Sequence, residues 1–313
     1  MKILLLGASG QVGHALRGPL ATLGNIVPAT RGGRLDDGTE CLAADLADGE
    51  SLARALASAN ADVVINAAAY TAVDRAEDET ELAQRVNGDA LAQIGAWAVR
   101  HSAFVLHYST DYVFDGRATR PYREDDATAP LGAYGRSKLA GELALRDSGC
   151  DQMILRTAWV YAARGNNFLR TMLRLARERE RLTVVDDQHG APTSAPLIAA
   201  TTIALLSRRM QVDASRRNAL DGTYHLAAGG ATTWCGFARA IMARAMAAGL
   251  IARAPEVAAI TTSEFPTRAR RPSYSVLDTT RLRETFAVDL PAWEVGLDAV
   301  IGEMAENGAA GNR

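Results

Sequence analysis

The chain begins with a short apolar segment, a glycine-rich turn and a helical pattern, in that order. Residues 3–6 are apolar throughout, and leucines recur at helical spacing after residue 13. The turn is a GxxGxxG sequence built on Gly7, Gly10 and Gly13, with Gln11 and Val12 inside it. Strand, glycine turn and helix are the context of a dinucleotide-binding fingerprint, because the turn brings backbone N–H groups to a pyrophosphate. The pattern predicts a cofactor-binding turn, with a purely structural turn as the alternative.

Apolar segments and helical patterns alternate as far as about residue 160. We predict further strands at residues 25–30, 41–44, 62–70, 103–107 and 151–155, and helices at 52–59, 81–101 and 134–148. Repeated strand–helix units form a parallel sheet with helices on both faces. The predicted fold is therefore α/β, a doubly wound parallel sheet of the Rossmann type, with a smaller C-terminal substrate-binding domain.

The alternation breaks down after residue 160. Helices are predicted at residues 165–181, 196–208 and 234–247, strands at 182–185 and 222–226, and an irregular basic segment at 265–272. We assign residues 1–160 to an NAD(P)-binding domain to which residues 192–226 return, and residues 161–191 and 227–313 to a substrate-binding part. Because arginine pairs well with phosphate, Arg271 in the basic segment is a candidate contact to an anionic substrate. A solvated basic loop is the alternative.

The end of the second predicted strand bears on the choice of cofactor. The carboxyl ends of the strands line the cofactor crevice in a doubly wound sheet. Thr30 and Arg31 stand at this end, and no acidic residue follows before Asp36. A hydroxyl and a guanidinium suit a 2′-phosphate, whereas an acid would repel it. We expect NADPH to be preferred and NADH to be possible, unless the arginine only faces water.

The ends of the third and fourth strands supply further candidate cofactor contacts. Asp45 could face an adenine amino group with Leu46 against the ring, or Asp45 could instead cap the following helix. Ala67, Ala68 and Ala69 are small enough for a flat ligand to lie against the backbone. Close helix packing is the alternative for the alanines.

The helix that begins near residue 134 carries the candidate chemistry. Tyr134 and Lys138 are four residues apart and share one helix face. A tyrosine can exchange a proton with a substrate oxygen if its pKa falls from about 10. We expect Lys138, the cofactor and burial together to supply the roughly 4 kcal/mol that this requires. Thr110, after the fifth strand, can meet the same oxygen, so these three residues are the candidate catalytic group. A loose tyrosine and a surface lysine are the alternative.

The overall composition narrows the possible partners and compartment. The formal net charge of 313 residues is −2, which gives no signal for nucleic acid or an anionic membrane. The apolar runs are too short to span a bilayer. The three cysteines lack CxxC spacing, which favours a reducing, cytoplasmic setting over a disulfide framework or a zinc site. We expect a cytoplasmic protein whose partner is a small molecule.

Motifs across nearly the whole chain resemble the extended short-chain dehydrogenase/reductase superfamily and, within it, the dTDP-4-dehydrorhamnose reductases. The matching stretches are GASGQVG at 7–13, NAAAYTAVDRAE at 66–77, HYSTDYVFDG at 107–116, APLGAYGRSKLAGE at 129–142, RTAWVY at 156–161, GNNF at 165–168, DDQHGAPT at 186–193 and RARRP at 268–272. The resemblance implies NAD(P)H-dependent reduction of the C4 ketone of dTDP-4-dehydro-L-rhamnose to dTDP-L-rhamnose, the last step of dTDP-rhamnose biosynthesis.

The resemblance also implies roles for particular residues. It makes Tyr134 the proton donor, Lys138 its partner on the cofactor ribose, and Thr110 the small hydroxyl residue of the triad. It places the sugar nucleotide near Thr110 and four further residues: Asp111, Trp159, Asn167 and Arg271. Positions matching cofactor contacts are Gly10, Gln11, Val12, Asp45, Leu46, Ala67, Ala68, Ala69 and Tyr108.

The same resemblance makes a bound metal ion doubtful. Some reductases of this family hold a magnesium ion between subunits with glutamates. Two of those positions are Ala15 and Pro196 here, and only Glu303 matches. A hard divalent cation needs several oxygen ligands, so we expect no bridging Mg²⁺ and a monomer or weak homodimer.

Two other classes of function share this fold, namely another nucleotide-sugar enzyme and a non-catalytic subunit. A nucleotide-sugar dehydratase would be expected to place an acid pair beside its threonine, but Asp111 and Tyr112 follow Thr110, with no Glu. A nucleotide-sugar epimerase belongs to the same class of alternative. A non-catalytic regulatory subunit, like that of methionine adenosyltransferase, would be favoured by loss of Tyr134 or Lys138, and both are present.

Overall fold

The structure, a computed structural model, describes residues 1–310. Its strands are β1 (Lys2–Leu6), β2 (Asn25–Thr30), β3 (Leu42–Ala43), β4 (Val63–Asn66), β5 (Phe104–Thr110), β6 (Gln152–Thr157), β7 (Val160–Tyr161), β8 (Arg181–Val185), β9 (His189–Gly190), β10 (Thr193–Ser194), β11 (Gly222–His225), β12 (Thr232–Thr233) and β13 (Glu256–Ile260). Its α-helices are α1 (Gln11–Leu20), α2 (Gly49–Ala59), α3 (Thr80–Gln84), α4 (Ala90–His101), α5 (Ala133–Ser148), α6 (Phe168–Glu178), α7 (Ala195–Gln211), α8 (Trp234–Ala247), α9 (Thr280–Phe286) and α10 (Trp293–Ala310).

The central sheet has seven parallel strands in the order β11-β6-β5-β4-β1-β2-β3. Because successive side chains alternate between the faces, Leu4 and Leu6 of β1 pack on one side and Ile3 and Leu5 on the other. Helices α2, α4 and α5 cover the first face, and α1, α7 and α9 cover the second. The predicted doubly wound α/β fold is confirmed.

A separate apolar core lies outside the central sheet. Helices α6, α8 and α10 pack around β8, which pairs in parallel with β13. Asn167 caps α6 by accepting the N–H of Arg170, so this helix begins at Phe168 rather than at residue 165. None of the helices within residues 1–310 is both long and apolar enough to cross a membrane.

Several predicted element limits were wrong, and β4 is the clearest case. We predicted a strand over residues 62–70, but β4 ends at Asn66. The last ladder bond runs from the Ala67 N–H to the Leu6 carbonyl, after which Gly7 turns the neighbouring strand away. The chain beyond Ala67 therefore no longer pairs with β1, and it also leaves β5, which continues to Thr110. Strand β13 and helices α9 and α10 were not predicted.

The helix predicted over residues 81–101 contains a π-helical turn. The turn spans Arg85–Asp89 between α3 and α4 and buries Asn87. The Asn87 side chain accepts the Tyr70 N–H at 2.9 Å and donates to the Ser137 hydroxyl at 3.0 Å. A wide turn of this kind lets a polar side chain leave the helix ladder, and such turns are frequent at functional sites.

Candidate active site

The glycine turn between β1 and α1 has the shape of a phosphate cradle. Gly7 has φ +76°, and a Cβ there would lie 2.6 Å from the Ala68 nitrogen, so a larger residue cannot occupy it. Gly10 caps α1 without any side-chain hydrogen bond to the first-turn amides. Those amides and the helix dipole suit a pyrophosphate. The turn therefore fits a dinucleotide.

Lys138 lies at the carboxyl ends of β4 and β5. It is 2% exposed, and its Nζ donates to the Tyr108 carbonyl at 2.6 Å. The same Nζ is 3.2 Å from His107 Nε2. Burial lowers the pKa of Lys138 to about 7, although Glu142, one turn further along α5, acts in the opposite direction. The positive charge expected at this position is therefore only partly developed at neutral pH.

Tyr134 meets Thr110 and Asp111 at the end of β5. Burial raises the pKa of Tyr134 to about 12, and a hydrogen bond with the Thr110 hydroxyl opposes this rise. Thr110 Oγ1 also lies 3.0 Å from Asp111 Oδ1, to which it can donate its single hydrogen instead. The direction expected for burial was wrong, whereas the combined shift expected from Lys138, the cofactor and burial together stays a prediction. Burial disfavours a phenolate, and the Lys138 amine is engaged by β5.

Three contacts hold α5 in place. The Glu77 carboxylate accepts the Ala133 N–H at 2.7 Å, which places an acid at the positive end of the helix. Deeper along the helix, buried Glu142 pairs with Arg156 of β6 at 2.7 Å and accepts the Ser109 hydroxyl at 2.5 Å. These contacts hold α5, the helix of Tyr134 and Lys138, against β5 and β6.

The loop after β2 only partly follows the prediction. Buried Thr30 donates to the Arg34 carbonyl at 2.9 Å and accepts the Arg34 N–H at 3.1 Å, so its hydroxyl already holds the loop. Arg34 pairs with Glu40 at 3.1 Å. The exposed Arg31 side chain has no hydrogen bond or ion pair within residues 1–310. Of the two predicted residues, Thr30 and Arg31, Arg31 is therefore the better candidate for contact with a 2′-phosphate.

The alternative role of Asp45 as a helix cap was wrong. Asp48 caps α2 by accepting the N–H groups of Glu50 and Ser51, whereas Asp45 accepts only the Ala47 N–H at 2.9 Å. Leu46 is buried among the residues of the first sheet face. The predicted adenine contacts of Asp45 and Leu46 stay predictions.

Ala67, Ala68 and Ala69 are half-buried directly after β4. Ala67 and Ala68 pack against opposite faces of the sheet, and the Ala68 backbone lies against Gly7. The phenol of Tyr108, another predicted cofactor residue, is engaged by a different part of the protein. Its hydroxyl is 2.7 Å from the Thr202 hydroxyl of α7, so it contributes its carbonyl, not its phenol, to the Lys138 site.

Three of the predicted substrate residues already have partners within the protein. The Trp159 ring stacks on Trp234 at 3.5 Å between centroids, and Trp159 has φ +47°, which is unusual for a bulky residue. Asn167 donates to Gln11 Oε1 at 2.8 Å and caps α6, so the donor and acceptor groups of its amide already have partners. Arg271 pairs with Asp74 at 2.7 Å and is only partly available to an anion.

The positions considered for a metal do come together. Ala15, Pro196 and Glu303 line one groove of about 620 Å³ beside α1 and α7. Within residues 1–310, no three His, Cys, Asp or Glu side chains are arranged to hold a metal ion.

Sequence reasoning missed the partners of Lys138. Neither His107 nor Asn66 was predicted to belong to the site. The two residues face each other in the β4–β5 register, at the carboxyl ends where cofactor contacts were sought. Their polar character within otherwise apolar strands was the available signal.

A glycine cradle together with a half-buried tyrosine and a buried lysine on one helix face, at the carboxyl ends of a parallel sheet, defines a nicotinamide-dependent oxidoreductase of the short-chain dehydrogenase/reductase type. The family model described as RmlD substrate binding domain matches residues 1–306. The chain belongs to this family, that of the dTDP-4-dehydrorhamnose reductases.

Individual relatives agree with that placement. The dTDP-4-dehydrorhamnose reductase of Burkholderia thailandensis is 46% identical over 306 residues, covering 97% of this chain and 99% of that protein. The Salmonella typhimurium enzyme is 44% identical, covering 97% and 98%. A crystal structure of the Bacillus anthracis reductase in complex with NADP has a TM-score of 0.83 and 31% identity, and covers 96% of this chain and 99% of that one.

Proposed function

We propose that this protein reduces the C4 ketone of dTDP-4-dehydro-L-rhamnose to dTDP-L-rhamnose with NAD(P)H. The observation that carries the proposal is the contact of Tyr134 with Thr110 at the end of β5, with Lys138 one helical turn further along α5, in a chain similar to reductases of this name. When bound, the nicotinamide cofactor supplies the hydride. The residues of the chain must then bind the dinucleotide, orient the ketone and supply a proton.

The proton comes from Tyr134. With its pKa raised to about 12, the phenol is fully protonated at neutral pH, which is the form that a reduction requires. An alkoxide forming at C4 is a stronger base than a phenolate, so transfer of the Tyr134 proton to that oxygen is favourable. Thr110 Oγ1 lies beside the same hydroxyl and can orient the ketone oxygen.

The glycine turn and Lys138 would hold the cofactor. The amides of Gln11, Val12 and Gly13 would meet the pyrophosphate, and Lys138 would meet the ribose.

Asp111 offers a buried carboxylate whose Oδ2 has no hydrogen-bond partner within residues 1–310. A sugar hydroxyl would satisfy that oxygen, because a buried acceptor without a partner is unfavourable.

We also propose that the chain divides into the cofactor-binding and substrate-binding parts predicted from the sequence. Residues 1–160 and 192–226 would bind the cofactor, which is supported by β11 joining the central sheet and by α7 packing on its second face. Residues 161–191 and 227–313 would bind the sugar nucleotide, which is supported by the separate core of α6, α8 and α10.

The test mixes purified protein, NADPH and dTDP-4-dehydrorhamnose and follows loss of the reduced-nicotinamide absorbance. In Tyr134→Phe, which keeps the ring but removes the proton, we expect kcat to fall by roughly 10²-fold or more with cofactor affinity little changed. The matched control is Tyr224→Phe, whose hydroxyl donates to the Leu220 carbonyl far from the site. Near-normal turnover in Tyr134→Phe would remove this tyrosine from the mechanism.

For assembly, we propose a monomer or a weak homodimer without a bridging metal. Of the three positions lining the groove beside α1 and α7 that were compared with family metal ligands, only Glu303 is a carboxylate, and one carboxylate is too few for a hard cation. The sedimentation coefficient should therefore be the same with and without a chelator. A dimer that dissociates when the chelator is added would contradict this.

A further inference from the structure

Trp159 keeps a backbone conformation that is rare for its side chain. Its φ of +47° lies in the left-handed region, where a bulky residue is an outlier. Two features hold it there: the Thr193 N–H donates to the Trp159 carbonyl at 3.2 Å, and the next two residues pair with β10. Such conformations persist only where the surrounding structure fixes them, and they are concentrated at ligand sites. The direction of the Trp159 ring is therefore a candidate functional feature.

The ring lies beside the proposed substrate site. Trp159 comes two residues after Thr157, which is in register with Thr110 at the carboxyl ends of β6 and β5. It also packs against the apolar cluster that contains Val113, two residues after Asp111. Its side chain is half-buried, so part of the indole stays accessible to a ligand.

Packing, not hydrogen bonding, sets the direction of the ring. The Trp234 indole covers Trp159, with 3.5 Å between ring centroids and 4° between the ring planes. A Cβ on Gly190 would lie 2.4 Å from Cε2 of the same ring, so the backbone of β9 closes one edge. Within residues 1–310 the indole N–H of Trp159 has no hydrogen-bond partner. The N–H group is thus available to a ligand.

The starts of two helices hold Trp234 in turn. Thr233 caps α8 by accepting the Gly236 N–H at 2.9 Å, which makes Trp234 the first residue of that helix. Phe168, the first residue of α6, packs against the Trp234 ring with 4.6 Å between centroids. Both helices belong to the separate core outside the central sheet. The Trp159 ring is therefore supported from the substrate-binding part of the chain.

We propose that Trp234 is a positioning residue that holds the Trp159 indole against the sugar of the substrate. This deepens the proposed function, on which it rests for the identity of the sugar nucleotide. A side chain that is already fixed loses less conformational freedom when the ligand binds, so the sugar binds more tightly. Strands β5 and β4 separate β6 from β1 and its glycine turn, so the effect falls on the sugar and not on the cofactor.

Steady-state kinetics with NADPH and dTDP-4-dehydrorhamnose provide the first test. In Trp234→Leu we expect KM for the sugar nucleotide to rise by roughly 5-fold, with KM for NADPH unchanged. Trp234→Phe should remove most of that rise, because an aromatic face remains to stack. The matched control is Trp293→Leu, which removes another buried indole from the same core and should lower stability without changing KM. An unchanged KM in Trp234→Leu, or an equal rise in Trp293→Leu, would overturn the proposal.

A double variant separates positioning from direct contact. Trp159→Ala removes the ring that Trp234 supports and should itself raise KM for the sugar nucleotide. If Trp234 acts through that ring, adding Trp234→Leu to Trp159→Ala raises KM no further. A further rise as large as that of Trp234→Leu alone would make Trp234 a direct contact and refute the positioning role.

NMR tests the geometry without turnover. The chain has four tryptophans, whose indole rings are labelled with ¹³C, and Trp159→Phe and Trp234→Phe assign their signals. Each ring of a face-to-face stack lies in the shielding region of its partner. We therefore expect the Trp159 ring signals to move downfield in Trp234→Leu, while the Trp97 signals stay in place as the internal reference. Trp159 signals that do not move would show that the stack is absent and overturn the proposal.

The same signals report on the ligand. In the presence of NADP⁺, dTDP-L-rhamnose should shift the Trp159 ring signals more than dTDP, which lacks the sugar. An equal response to both nucleotides would show that the ring does not meet the sugar and overturn the proposal. A wild type without turnover would count against the proposed function, while the position of the Trp159 signals still decides whether Trp234 fixes the ring.

Discussion

Burial and hydrogen bonding act in opposite directions on the phenol of Tyr134. Burial raises its pKa to about 12, while the Thr110 hydroxyl favours the ionised form. The Lys138 amine, one helical turn away, bonds the Tyr108 carbonyl instead. At the scale of the residue, the site therefore keeps Tyr134 as an acid, the form suited to proton donation.

Arg31 determines our prediction for cofactor choice. Its exposed guanidinium follows the end of β2, where a 2′-phosphate would lie. We expect kcat/KM to favour NADPH over NADH by roughly 10-fold, about 1.4 kcal/mol, and Arg31→Ala to remove most of this preference with NADH kinetics nearly unchanged. Steady-state kinetics with both cofactors measure it. Arg34→Ala is the matched control, because Arg34 is paired with Glu40. Equal use of both cofactors by the wild type would contradict the assignment.

At the scale of the element, the π-helical turn and α5 pack backbone against backbone. Gly141 of α5 lies directly against the Asn87 carbonyl, so that a Cβ there would overlap it. Asn87 in turn bonds Ser137, which precedes Lys138 on the same helix. The close approach therefore fixes the height of the catalytic helix above the sheet.

Gly141→Ala tests this packing. Alanine favours a helix over glycine by about 1 kcal/mol, but overpacking costs about 1–3 kcal/mol, so we expect net destabilisation and weaker activity. Gly302→Ala in α10 is the control, because a Cβ there meets nothing within 4 Å and should stabilise slightly. Urea denaturation measures both variants. A Gly141→Ala protein as stable as Gly302→Ala would show that the two elements are free to separate.

Buried histidines connect the stability of the whole molecule to pH. Fully buried His225 directs Nδ1 at the carbonyls of Tyr122 and Asp278, each at 3.1 Å, and burial lowers its pKa to about 3. Between that value and the unfolded value of about 6.5, the unfolded chain binds more protons. Stability therefore falls as the pH is lowered through this window. Asp111, whose pKa is raised to about 6, acts in the opposite direction below that pH.

His225→Asn removes the titrating group but keeps a donor for the two carbonyls. Between pH 7 and pH 5 we expect the variant to lose about 2 kcal/mol less stability than the wild type, since 1.36 kcal/mol accompanies each pH unit below about 6.5. Urea denaturation at both pH values measures the difference. Equal losses in the two proteins would show that His225 does not remain neutral in the fold.

The sequence by itself determined the features whose parts are close together in the chain. The β1–glycine turn–α1 unit, the Tyr134–Lys138 face and the placement of Thr110 at the carboxyl end of β5 follow from local spacing, which sets which side chains share a turn or a face. The alternation of strands and helices likewise determined the doubly wound class, because only a few arrangements bury such units.

Tertiary structure alone decided which distant residues meet. The Asn66–His107–Lys138 contacts depend on the register of β4 against β5 and on the height of α5, and neither is written in local spacing. The pairing of β13 with β8 and the stacking of Trp159 on Trp234 likewise join segments far apart in sequence. Burial in that assembled crevice also acts on the pKa of Tyr134 in the direction opposite to the one expected for burial, since desolvation exists only once the surrounding elements have packed.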